Sequence, residues 1–290
     1  FTGYFEANGA GLKLSQAQIF AVGSHPAIGR FSTGGGNPFA PDGRNVFHAM
    51  GLQLTSEKGD ISRLAMDHVP IFPVATPEDF VALQRATRPD PDTGKPDPAV
   101  MKAYIADHPE TKAFQDYLAK APLPDSFANR TYYSINAFRF LDPGGGAHAV
   151  RWSFVPEAPL RELDKAKLSE VTPDHLFDEF LHRLQRGPVR WRMLVTLGAP
   201  DDPTNNATIA WPSERETIDV GTLSIDRASA EENGSCRDIT FDPTILPAGI
   251  AISDDPLLPA RSAAYAASFR RRGAEGAAPS AVGKRYAQEK

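Results

Sequence analysis

The first seventy residues repeat one pattern, short apolar runs broken by clusters of Gly, Pro and Asn. FTGYFEANGAG, AIGRFSTGGGNPFAPDG, VFHAMGLQLTSEKGD and LAMDHVPIF each hold enough apolar side chains for one strand, and each ends where the chain must turn. Strands so short and so closely spaced bury their apolar faces by pairing into a sandwich or a barrel. The pattern returns at Arg130. TYYSINAFRFLD reads as one strand in which Ser134, Asn136 and Phe138 oppose Ile135, Ala137 and Arg139, and a turn at Gly144 to Gly146 joins it to HAVRWSFVPE as a hairpin. RWRMLVTLG and IDVGTLSIDR supply two more strands.

Helices are inserted between these runs. Thr76 caps the first, with Pro77 in its first turn and Phe80, Leu83 and Ala86 at helical spacing. Two others begin near Asp97-Pro98 and Pro109-Glu110, after the turn-rich RPDPDTGKPD. Thr172-Pro173 caps a fourth, striped with Leu176, Phe177, Phe180 and Leu184 and stopped by Gly187. There is no internal repeat and no shift of composition to mark a boundary. The economical architecture is one α+β domain over residues 1–272, mostly antiparallel, with a tail of small and polar residues at 273–290.

Composition narrows the partners. No apolar run approaches the roughly 20 residues that span a bilayer, and a net charge of -5 argues against nucleic acid, which calls for a basic face. Cys236 is the only cysteine, which excludes an internal disulfide and a multi-cysteine metal site.

The stretch SDDPLLPARSAAYAASFRRR, Ser253 to Arg272, carries the chemistry. Ser253, Asp254 and Asp255 make a helix start, and Pro256 suits a first turn. Arg261 and Tyr265 stand four residues apart on one face, which Phe269 continues. A fixed guanidinium beside a phenol stabilises the phenolate, a hard anionic ligand for ferric iron.

FDPTILPAGIAISDDPLLPARSAAY, Phe241 to Tyr265, resembles the haem-ligand segment of the catalases, in which F-D-P and P-G-I lead to R-x-x-x-Y. The resemblance covers nearly the whole chain and is to the small, catalase-related peroxidase form. It implies an eight-stranded antiparallel β-barrel with helical insertions and no room for a flavodoxin-like C-terminal domain. It also implies haem b as cofactor, with Tyr265 as axial iron ligand supported by Arg261. GRFST is similar to a second family segment, which implies Arg30 on a haem propionate and Ser32 behind a distal histidine. Arg272 is implied as a second propionate partner. MDHVPIFPVATPEDF resembles the family's N-N-x-P-[VI]-F stretch, placing Phe72 and Phe80 against the porphyrin and Asp67 where the family has an asparagine over the iron. A shifted register would instead present His68. The family's distal histidine precedes a G-x-F that is here Gly3-Tyr4-Phe5, so it is expected upstream of Phe1. His25, His48, His108, His148, His175 and His182 lie in no such motif, and most are expected to be exposed in turns or on helices.

The implied activity is that of a haem enzyme using hydrogen peroxide, by dismutation or with a small organic electron donor, as a homo-oligomer (dimer or tetramer). Alternatives are a catalase-like protein acting on fatty-acid hydroperoxides, a haem-binding protein without turnover, and a haem-free, lipocalin-like carrier.

Overall fold

A computed structural model describes residues 1–34, 41–42, 47–90, 92–123, 125–164, 170–231 and 234–275, apart from the side chains of Arg272 and Glu275. The described residues hold ten strands: β1 (Thr2–Ala7), β2 (Gly23–Thr33), β3 (His48–Thr55), β4 (Ile61–Asp67), β5 (Tyr132–Tyr133), β6 (Phe138–Leu141), β7 (Ala147–Pro156), β8 (Val189–Leu197), β9 (Thr217–Arg227) and β10 (Ile250–Ile252). All pair antiparallel. The sheet runs β10-β6-β7-β5-β4-β3-β2-β1-β9-β8, and a further pairing of β7 with β8 closes it. The closed ring therefore holds eight strands, β5-β4-β3-β2-β1-β9-β8-β7, with β6 and β10 as an extension. This is the expected barrel.

Among the described residues five α-helices decorate it: α1 (Pro77–Ala86), α2 (Pro98–Asp107), α3 (Pro109–Lys120), α4 (His175–Leu184) and α5 (Leu257–Glu275). Thr76 caps α1 by accepting from the Asp79 amide, and Asp97 caps α2 through Ala99. Two boundaries differ from the sequence reading. The N-cap of α4 is Asp174, and Thr172 instead donates to the Asp178 carboxylate. α5 continues past Arg272 as far as Glu275, where the described residues end, because Gly273 is the only poor helix former in RRRGAE and a single one is tolerated. No helix among the described residues is long and apolar enough to cross a membrane.

The barrel axis is filled by aromatic rings. Phe31, pointing inward from β2, has ring centroids of Phe1, Phe127, Tyr132, Phe180 and Trp191 at 4.9, 5.0, 5.7, 4.8 and 6.0 Å. A lipocalin-like carrier needs that volume empty, so this reading is set aside. Phe31→Ala is expected to cost about 3–4 kcal/mol, because the surrounding rings cannot collapse into the void together. A urea titration checks it, and a loss under 1 kcal/mol would show that the cluster repacks.

His25 and His48 correct the expectation of exposure. Both point inward from their strands and are 1% exposed, since strand alternation places them on the core face.

The segment TYYSINAFRFLD is not one strand. It breaks between β5 and β6, where Ile135 has φ 62. A β-branched residue in the left-handed region costs about 1–3 kcal/mol and persists only where neighbours hold it. Buried contacts with Ala207, Leu257 and Phe72 surround Ile135.

Candidate active site

Three barrel strands make a floor on their outward face. Register sets Ser32, Ala49 and Asp67 abreast in one row, and Arg30, Gly51 and Ala65 in the next. Small side chains at the centre keep this surface low. Phe241 occupies part of the room, since a Cβ on Gly51 would come within 2.8 Å of its ring. The Arg30 guanidinium stands 5.3 Å from the centroid of the same ring, with Glu231 3.9 Å from its Nη1.

Helix α5 lies over the floor and is fixed at its start. Asp255, buried, caps it by accepting from the Leu257 amide at 2.9 Å. Ser262 Oγ donates to Asp242 Oδ2 at 2.6 Å, and Asp242 Oδ1 accepts from the Thr244 amide and hydroxyl. The F-D-P turn is thus stapled to the second turn of α5, which sets the rotation that sends Arg261 and Tyr265 downward. Between helix and floor is a cavity of about 150 Å³, lined by Arg30, Ser32, Asp67, Phe241, Arg261 and Tyr265 among others.

Arg261 is the hub. Its Nη2 donates to Tyr265 Oη at 3.1 Å and to the Ala65 carbonyl at 3.4 Å, and its Nη1 donates to Asn136 Oδ1 at 2.7 Å. The Asn136 amide in turn donates to Asp255 Oδ2 at 2.8 Å. A charged partner at each end fixes which way this amide points. Burial pulls the guanidinium's pKa down, but Tyr265, Asp67 and Asp255 more than offset it, so Arg261 stays charged. Asp67 lies on the opposite wall. Burial pushes its carboxyl up to about 6, against the pull of Arg261.

Asn136 and Asp255 belong to the site although the sequence reading gave them no role there. Sequence alternation puts Asn136 in a regular strand, whereas the break at Ile135 turns it towards Arg261. The available signal was a polar Ser-x-Asn inside an otherwise apolar run. Asn136→Leu is expected to cost about 2–3 kcal/mol, because Arg261 and Asp255 each lose a buried partner. The check is chemical unfolding of the cofactor-free protein, and an unchanged midpoint would mean water replaces the amide.

Of the other candidates, Phe72 and Phe80 stack on each other at 5.7 Å and do not line this cavity. Phe72 packs instead with Ile135, Ala207 and Leu257. His68 follows Asp67 and takes the inward face, 5% exposed, its Nδ1 accepting from the His48 amide at 3.1 Å. Burial and then the charge of Arg130 drop its pKa to about 3, so it is neutral. The Arg272 side chain lies outside the described residues.

Comparison with known families gives a match of the catalase model to residues 1–278. The chain belongs to the catalase family. A catalase-related peroxidase of Synechococcus elongatus is 39% identical over 270 residues, covering 93% of this chain and 80% of that protein. A catalase-related peroxidase of Mycolicibacterium paratuberculosis is 32% identical over 273 residues, covering 94% and 86%. Among solved structures, a bacterial catalase superposes with a TM-score of 0.82 at 20% identity, and catalase A from Saccharomyces cerevisiae with 0.82 at 17%. Each covers 93% of this chain, which spans only 55% and 58% of theirs. These two likenesses show the fold.

A catalase-type haem fits the residues present. Ala49, Gly51 and Ala65 carry small side chains at the centre of the floor, and Phe241 adds an apolar ring over Gly51. One phenol oxygen enters the cavity beside a fixed cation, and Arg30 offers a second cation at the rim for the ring's carboxylates. Among the described residues no group of three or more His, Cys, Asp or Glu side chains converges to hold a metal unaided. An iron at Tyr265 would draw a single protein ligand there, as a macrocycle-held iron does.

Proposed function

We propose that this catalase-family protein reduces hydrogen peroxide at a haem b held through Tyr265 Oη, using a small organic molecule as electron donor. At the coarser level, it is an oxidoreductase that acts on peroxide with a haem cofactor, as family membership and the two catalase-related peroxidases support. The observation that carries the finer reading is the Arg261–Tyr265 contact at 3.1 Å at a cavity that Asp67 also lines.

The bound haem supplies the redox chemistry of peroxide reduction. Tyr265 holds it from the α5 side, and Arg261 keeps a positive charge against the ligand oxygen while tied to Asn136 and Ala65. Arg30 pairs with the cofactor's carboxylates. Asp67 is the proton-holding group of the opposite wall. With a pKa of about 6 it carries a proton in mild acid and is a carboxylate above that. Ser32, in the same row as Asp67, offers a hydroxyl on that wall. The unit that does this work runs from β1 through α5, as one domain, and we propose that it acts as a homo-oligomer.

Reconstitution tests the reading. With haem the protein is expected to show a high-spin ferric spectrum with a tyrosinate charge-transfer band, and to consume peroxide faster when a phenolic donor is added. A preparation that takes up no haem, or takes it up without peroxide turnover, would overturn it.

A further inference from the structure

Phe269 is the only large apolar side chain on α5 beyond Tyr265 among the described residues, and it is 52% exposed. The helix around it presents Ala263, Ala264, Ala266 and Ala267, so the ring stands above a smooth surface. It follows Tyr265 by four residues, on the same side of the helix and about 6 Å further along the axis. Its neighbour Ser268 lines the cavity.

The space beneath Tyr265, about 150 Å³, is smaller than a tetrapyrrole. A ring held through the Tyr265 oxygen would need room beyond that space, and Ser268, which lines it, is the residue before Phe269. We infer that Phe269 covers an edge of the bound haem on the Tyr265 side and thereby sets how long the cofactor stays. This inference rests on Tyr265 being the axial ligand. An aromatic ring against a porphyrin edge removes apolar area of both from water and closes the exit path with one side chain.

The test is haem loss from the loaded ferric protein to excess apo-globin. Phe269→Ala is expected to release haem about tenfold faster than the parent, and Phe269→Leu within about twofold of it, with the ligand band unchanged in both. An alanine variant that releases haem at the parent's rate overturns the inference, as does one whose only change is a smaller assembly in sedimentation, which would mean a second copy covers the ring. In the parent protein, amides 266–270 are expected to exchange hydrogen more slowly once haem is bound, and equal rates overturn the inference without any variant. Failure of the axial reading is seen separately, as a Tyr265→Phe protein that keeps the parent's charge-transfer band.

Discussion

Tyr265→Phe is expected to abolish stable haem retention or, where some haem stays, to lower peroxide turnover at least about a hundredfold. The substitution keeps the ring and its packing and removes one oxygen, the one that accepts from Arg261 Nη2 at the cavity. Arg261 then loses one acceptor but keeps Asn136 and Ala65, so the helix stays in place and the fold is expected to survive. That separation makes the result readable. Circular dichroism matching the parent together with a lost tyrosinate band identifies Tyr265 as the ligand. Normal loading and full activity would refute the assignment.

Asp67→Asn is expected to raise oxygen evolution from peroxide by about tenfold at pH 7 or above, because an amide N–H can donate to a peroxide oxygen where an ionised carboxylate can only accept. The pH dependence carries a sign. Burial has raised the folded pKa of Asp67 to about 6 from an ordinary value near 3.8. Below about pH 6 the carboxyl is protonated and becomes a donor, so the parent's oxygen evolution is expected to climb as pH falls through that value, while the asparagine variant shows no such step. The same shift bears on stability. A carboxyl whose folded pKa is raised keeps its proton in the fold after the unfolded chain has lost it, so its penalty grows as pH rises from about 4 to about 6. Asp67→Asn should therefore flatten the fall of the unfolding free energy across that window. Rates that stay flat in both proteins would place Asp67 away from the reacting oxygen.

What could be read from the chain alone was what is local. Arg261 and Tyr265 are brought together by helical spacing, and Thr76 and Asp97 by the cap chemistry of their own turns, so neither needed the tertiary fold. Eight strands around a barrel were implied by family resemblance rather than by alternation, which by itself left sandwich and barrel equal. The rest depends on contacts between distant segments. Ser32, Ala49 and Asp67 become neighbours only once the register of β2, β3 and β4 is set. Asn136 reaches Arg261 across 125 positions, through a backbone break that no propensity predicts, because Ile135 is held there by Ala207, Leu257 and Phe72. His25 and His48 were misjudged for the same reason: which face of a strand is core is decided by its partners.

The floor has a consequence for how this protein tolerates change. On β3 and β4, alternate residues serve two masters. Leu52, Leu54 and Leu64 are buried in the barrel and do not line the cavity, while Ala49, Gly51, Ala65 and Asp67, interleaved with them, shape it. Substitutions can therefore tune the two functions almost independently, one position at a time. A single inserted or deleted residue cannot, because a shift of one would turn the chemistry into the core and the core into the cavity. Variation in these strands should thus occur by replacement, with changes of length confined to the turn at Ser56–Asp60 that joins them.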